Sequence, residues 1–61
     1  MILENLQRIL NELHSEDNIK DAGKAESGNA AAGRRLRKAC LEAVKELKTL
    51  RASILEQTRK N

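Results

Sequence analysis

An all-α fold is predicted for this 61-residue sequence by its composition and its apolar spacing. The apolar residues are mainly nine Leu, eight Ala and four Ile, which suit helices. Residues that favour strands amount to one Val and two Thr, and there is no aromatic residue. In both halves of the chain, apolar residues recur every three or four positions, which is the period of a helix.

The first helical arm is predicted over about residues 2–27. Its apolar face contains Leu3, Leu6, Leu10 and Leu13. After Leu13 the pattern thins, and the segment "HSEDN" contains residues that favour helix caps and turns. The arm is therefore either continuous or irregular near residues 15–18.

Gly28 and Asn29 predict the turn between the two arms, at residues 28–29. Glycine readily takes the left-handed conformation that closes the last turn of a helix, and asparagine is among the best N-cap residues for the next helix. The small residues that follow are expected to allow close approach of the arms. They are Ala31, Ala32 and Gly33.

The second arm is predicted over about residues 30–58, because no glycine or proline follows Gly33. Its apolar residues are spaced alternately by four and three, as in the seam of a coiled coil. This seam consists of Leu36, Cys40, Ala43, Leu47, Leu50 and Ile54. Cys40 is therefore expected to be a small buried apolar residue without a redox or metal-binding role.

Two arms of roughly 40 and 45 Å, joined by a short turn, predict an antiparallel, coiled-coil-like helical hairpin. The hairpin is expected to form one domain over residues 1–61. A chain of this size buries a small core, and each arm has a wider apolar stripe than one neighbouring helix covers. We therefore expect a homo-oligomer, specifically a dimer in which two hairpins form a four-helix bundle; a monomeric hairpin with frayed ends is the alternative.

Positive charge is concentrated in the second arm. Residues 1–28 have a net charge of −3, and residues 29–61 have a net charge of +6. On a helical wheel most cations of the second arm lie opposite the seam, whereas Arg35 and Arg37 lie toward its borders. The candidate phosphate-binding residues are Arg34, Arg35, Arg37, Lys38, Lys45, Lys48 and Arg59.

The cations within residues 34–38 repel one another unless a bound anion offsets their charge. The forked donors of arginine match phosphate oxygens well. This pattern favours binding to the backbone of double-stranded DNA and leaves RNA open as a partner. The absence of aromatic residues argues against recognition of single strands by base stacking. An ordinary solvated helix face is the alternative interpretation.

Enzymatic chemistry is not expected. The sequence has one His and one Cys, no nucleophile and base at plausible spacing, and no nucleotide-binding loop, so we predict no metal site, cofactor or small-molecule substrate. It also has no apolar run long enough to span a membrane and no signal-peptide pattern. We expect a cytoplasmic protein that does not bind membranes.

The segment "KAESGNAAAGRRLRKACLE", residues 24–42, resembles the core of the bacterial histone-H1-like proteins known from chlamydiae and Bacteroidetes. The resemblance rests on the Gly28–Asn29 joint and on the Arg-x-Arg-Lys pattern that follows it. It implies a nucleoid-associated protein that binds DNA without sequence preference. Carried over by position, Arg35, Arg37 and Lys38 become the phosphate contacts, and Arg34 is an addition of this sequence.

Chlamydial members of that family continue into a long tail rich in Lys and Ala, whereas this sequence ends at "QTRKN". The resemblance therefore implies that any bridging of duplexes depends on oligomerisation. The leading functional prediction is a histone-like, nucleoid-associated protein that binds DNA through the second arm and organises the chromosome. A coiled-coil assembly or adaptor module that binds an acidic protein partner is the alternative.

Overall fold

The computed structural model describes residues 1–59 and consists of three helices. They are α1 (Ile2–Leu13), α2 (Glu16–Glu26) and α3 (Ala30–Arg59). Helices α1 and α2 follow one another along α3, and both pack against it. The molecule is a rod of 48 × 16 × 12 Å. The predicted all-α antiparallel hairpin is confirmed.

The first arm is divided into two helices at the "HSEDN" segment. The hydroxyl of Ser15 caps α2 by accepting a hydrogen bond from the backbone N–H of Asn18, at 3.2 Å. The side-chain amide of Asn18 donates to the carbonyls of Glu12 and Leu13, at 3.0 and 3.3 Å. These two carbonyls lie in the last turn of α1, where helix carbonyls have no partner within the helix. Asn18 therefore closes one helix while Ser15 opens the next.

The reversal between α2 and α3 is built as the sequence predicts. Gly28 has a φ of 95°, in the left-handed region. Its N–H donates to the carbonyl of Ala25, and the N–H of Asn29 donates to that of Lys24, both at 3.0 Å. This is the Schellman arrangement of a helix C-terminus. The side chain of Asn29 then caps α3 by accepting from the N–H of Ala32, at 3.0 Å.

The core of the hairpin is small. Among the residues that the structure describes, four apolar residues are buried, Ile9, Ala32, Ala43 and Leu50, and two of them are alanines. The expectation that small residues allow close approach holds for Ala32. It is wrong for its neighbours, because Ala31 is exposed and a Cβ atom on Gly33 would meet no atom within 4 Å.

The predicted seam is divided between the inside of the hairpin and one of its open sides. Ala43 and Leu50 are buried, and Leu13 and Leu36 are half-buried. The exposed members are Leu3, Leu6, Leu10, Cys40, Leu47 and Ile54. The burial expected for Cys40 is therefore wrong for the single chain. The small Ala39 precedes it and is turned toward the first arm, which leaves Cys40 at the side.

The two long sides of the hairpin differ in chemistry. The ion pairs Arg8–Glu46 and Arg35–Asp21 join the arms on one side, which we call the polar side. The 100° advance per residue places the exposed seam residues of both arms on the other side. We call this surface the lateral face. It comprises Leu3, Leu6, Leu10, Cys40, Val44, Leu47 and Ile54.

Replacing Gly28 with Ala is expected to destabilise the fold by about 1 kcal/mol, because an L side chain is strained in the left-handed conformation. The matched control is Gly23→Ala within α2, where a Cβ atom meets nothing within 4 Å. That change should stabilise the helix by about 0.5–1 kcal/mol. Urea denaturation followed by circular dichroism measures both. Equal effects of the two substitutions would contradict this assignment of the joint.

Candidate nucleic-acid interface

A row of cations lies on the side of α3 that faces away from α1 and α2. We call it the basic ridge, and it comprises Arg34, Arg37, Lys38, Lys45, Lys48 and Arg59. All six residues are exposed. Their positions fall within an arc of about 100° of the helix circumference, and the row is roughly 37 Å long. A single uninterrupted helix therefore presents the charges in one direction.

The charges of the basic ridge are not neutralised within the part of the chain that the structure describes. The ion pairs between side chains of residues 1–59 involve Arg8 or Arg35, neither of which belongs to the ridge. Two of the three acidic residues of α3, Glu42 and Glu46, line a groove on the polar side together with Glu12. Glu56 lies on the arc of the ridge, beside Arg59. The ridge is consequently most strongly positive at its N-terminal end.

Arg34, Arg37 and Lys38 are crowded at this N-terminal end of α3. Arg34 lies three and four residues before the other two, so the three side chains are neighbours on the helix surface. The first turn of α3 contains no acidic residue to offset them. Like charges at these spacings destabilise a helix, and a bound anion removes that penalty. The arrangement suits a polyanion whose phosphates follow the ridge.

Arg35 is separated from the other sequence-predicted residues. Its Nε and one terminal nitrogen donate to the two carboxylate oxygens of Asp21, at 3.0 and 2.9 Å. The Asp21 side chain is 12% exposed and that of Arg35 is 56% exposed. This forked pair joins α2 to α3 on the polar side. Arg35 therefore positions the two helices, whereas the ridge residues face solvent.

The pair shifts the titration of both partners. The hydrogen bonds from Arg35 hold the pKa of Asp21 below its ordinary value, against the opposing effect of burial, and the charges of Arg35 and Lys24 add to the shift. The same hydrogen bonds raise the pKa of Arg35. Every buried side-chain nitrogen or oxygen among residues 1–59 has a partner. Asp21 is thus a buried acid made stable by one arginine.

Asp21 is not among the site residues predicted from the sequence. A signal was present, because Asp21 lies next to Ala22 and one turn before Ala25 on the inner face of α2. An acid on the inner face of a helix requires a partner. The sequence alone does not identify that partner, because the register between the two arms decides which α3 side chain faces Asp21.

Replacing Asp21 with Asn should lower the melting temperature at pH 7 and flatten its dependence on acid pH. Because the folded-state pKa of Asp21 is depressed, the pair stabilises the fold above the ordinary value of 3.8. That stability is lost as the pH falls through the depressed pKa. Asp17→Asn, which removes an exposed carboxylate of the same helix, is the control. Thermal melts from pH 2 to 7 measure the difference, and identical profiles for the two variants would contradict the role of Asp21.

Residues 1–59 contain neither a candidate metal site nor a membrane-spanning helix. No group of three or more His, Cys, Asp or Glu side chains there is placed to hold a metal ion. None of the three helices has the length and apolar character needed to cross a membrane.

The chain has a clear family relationship. The family model described as "Histone H1-like protein Hc1" matches residues 4–60, which is nearly the whole sequence. No curated protein matches the chain, and no solved structure matches it.

Proposed function

Because the chain belongs to the histone H1-like protein Hc1 family, whose members are nucleoid DNA-binding proteins, we propose that its basic ridge binds the phosphate backbone of double-stranded DNA. Binding is without sequence preference, and the protein acts within the bacterial nucleoid as a component that organises the chromosome. The observation that carries this proposal is the row of six exposed cations on one face of α3, none of which forms an ion pair with a carboxylate of residues 1–59.

The dimensions of the basic ridge suit a duplex. Its length of roughly 37 Å is close to one helical turn of B-DNA, about 34 Å. A straight helix of this length that lies along the outside of the duplex contacts backbone phosphates within one full turn of the DNA. Each neutralised phosphate releases counterions, which supplies affinity independent of sequence.

The side chains of the ridge also suit the backbone more than the bases. Arg34 and Arg37 offer forked donors that match two phosphate oxygens, and the lysines act as point charges. The chain has no aromatic residue on which an unpaired base could stack. These features support duplex binding rather than recognition of single strands.

Self-association of the chain would strengthen this DNA binding. The lateral face has no partner helix among residues 1–59, in line with the dimer expected from the sequence. Two copies place more than one ridge on a DNA molecule, which raises the effective affinity without any new type of contact.

The triple substitution R34Q/R37Q/K38Q is expected to weaken binding to random-sequence duplex at least about tenfold at roughly 50 mM salt. The slope of log affinity against log salt should become less negative by about 2.7, since each phosphate contact contributes about 0.9. The matched control R8Q/K20Q/K24Q also removes three positive charges, none of them on the ridge. Electrophoretic mobility shifts across a salt series measure both variants.

The control should retain most of the affinity and nearly all of the salt slope. Equal losses in the two variants would show that net charge alone determines binding, and the ridge would not be the site. No detectable binding of the unmodified chain to duplex at about 50 mM salt would overturn the function itself. An RNA duplex of the same sequence, run as a second arm, tests the preference for DNA.

A further inference from the structure

The lateral face is large for a chain of this size. Its seven side chains expose on the order of 500 Å² of apolar surface, which is at the upper end for a monomeric protein. Pairing two such faces would bury roughly 1,000 Å² in total, which is the lower limit for a specific interface. The face therefore has the area that a second copy of the chain needs.

The total surface leads to the same conclusion. The chain exposes 5221 Å², whereas a compact monomer of its 6.8 kDa mass exposes about 4,000 Å². Only four apolar residues in the described range, 1–59, are buried within the single chain. If a second copy covered the lateral face, the exposed leucines of that face would join this core.

The apolar stripes point in the direction that a second layer of helices requires. In α3 the centre of the predicted seam lies about 40° from the direction of the first arm, toward the lateral face. In α1 the four leucines are centred about 80° from the buried Ile9, toward the same face. A stripe directed between two neighbours is the geometry of a helix in a four-helix bundle.

Charge decides which helix of the second copy packs beside α3. Helix α3 carries eight Lys or Arg against three Glu, a net charge of +5. On the helical wheel Arg37 borders its lateral face, and Arg51 lies between Cys40 and Val44 within it. Two α3 helices side by side would bring these cations together. Helices α1 and α2 have net charges of −1 and −2, and the single cation of α1, Arg8, is on the polar side. Charge complementarity therefore places α3 beside the first arm of the second copy.

We propose that two chains pair through the lateral face with α3 of each beside α1 and α2 of the other, so that the dimer bridges two DNA duplexes. The two α3 helices then lie diagonally in the four-helix bundle. Because each basic ridge faces away from its own first arm, the two ridges point in opposite directions. The bridging step rests on the DNA binding proposed above, whereas the pairing step does not.

The pairing is tested with two variants that change the same residue type at equal exposure. L3Q/L10Q alters the lateral face, where Leu3 and Leu10 are 65% and 54% exposed. The control L41Q alters a leucine on the outward side of α3, outside that face, which is 64% exposed and so matches Leu3. Sedimentation equilibrium should show a dimer for the unmodified chain and for the control. The dissociation constant of L3Q/L10Q should rise about 100-fold or more.

A monomeric unmodified chain, or equal weakening by both variants, would overturn the pairing. Circular dichroism of each variant verifies that the helices are retained.

The diagonal arrangement is tested by distance. In the variant C40A/K45C, a spin label at the middle of α3 should lie about 30 Å from its counterpart in the dimer, the width across two packed helix pairs. A separation below about 20 Å would mean that the two α3 helices are adjacent, and the proposed arrangement would be wrong.

Bridging is tested by capture of a second duplex. One duplex is fixed on beads, a labelled duplex of different length is added, and each protein is used at a concentration that saturates its own mobility shift. The unmodified chain and L41Q should retain the labelled duplex, and L3Q/L10Q should shift DNA without retaining it. A dimer that shifts DNA but captures no second duplex would refute bridging alone. A dimer that fails to shift DNA would refute the proposed function and leave the pairing intact.

Discussion

Two helices that pack side by side cover only part of each other's circumference, and the apolar stripes of α1 and α3 are wider than that part. The hairpin buries Ile9, Ala43 and Leu50 and leaves Leu10 and Leu47 at one side. Alanines at the inner face of α3 allow close packing but contribute little buried area. The free energy still available from the uncovered leucines is what favours the pairing with a second copy proposed above.

Position on the helix, rather than residue type, separates the two roles of arginine in α3. Arg35 lies on the polar side, where the register across the turn places it against Asp21, and both oxygens of that carboxylate are occupied by its guanidinium. Arg34 and Arg37, its neighbours in sequence, lie on the outward face and form no ion pair with an acidic residue of the described chain. One arginine thus fixes α2 to α3, and the others remain free to bind an external anion. A single turn of helix contains both functions.

The joint at Gly28 and Asn29 links these features, because it sets how far α3 is shifted along the first arm. Its chemistry is local: a left-handed glycine closes α2, and the asparagine side chain caps α3 three residues before the first buried alanine. The junction at Ser15 and Asn18 is equally local, and the cap-forming residues of "HSEDN" indicated it. Both interruptions follow from hydrogen bonds that span six residues or fewer.

The sequence by itself determined the all-α hairpin, the position of its turn and the outward direction of most cations in α3. These depend on periodicity and on caps, which act within a few residues. Only the tertiary structure decided the rotation of α3 about its axis, which exposed Cys40 and Leu47, and the partner of Asp21 and Arg35. Those outcomes depend on which side chains meet across the turn. The spacing of the seam residues gives the centre of the apolar stripe on α3. It does not give which side of that stripe packs against the first arm, because either side buries a similar apolar area.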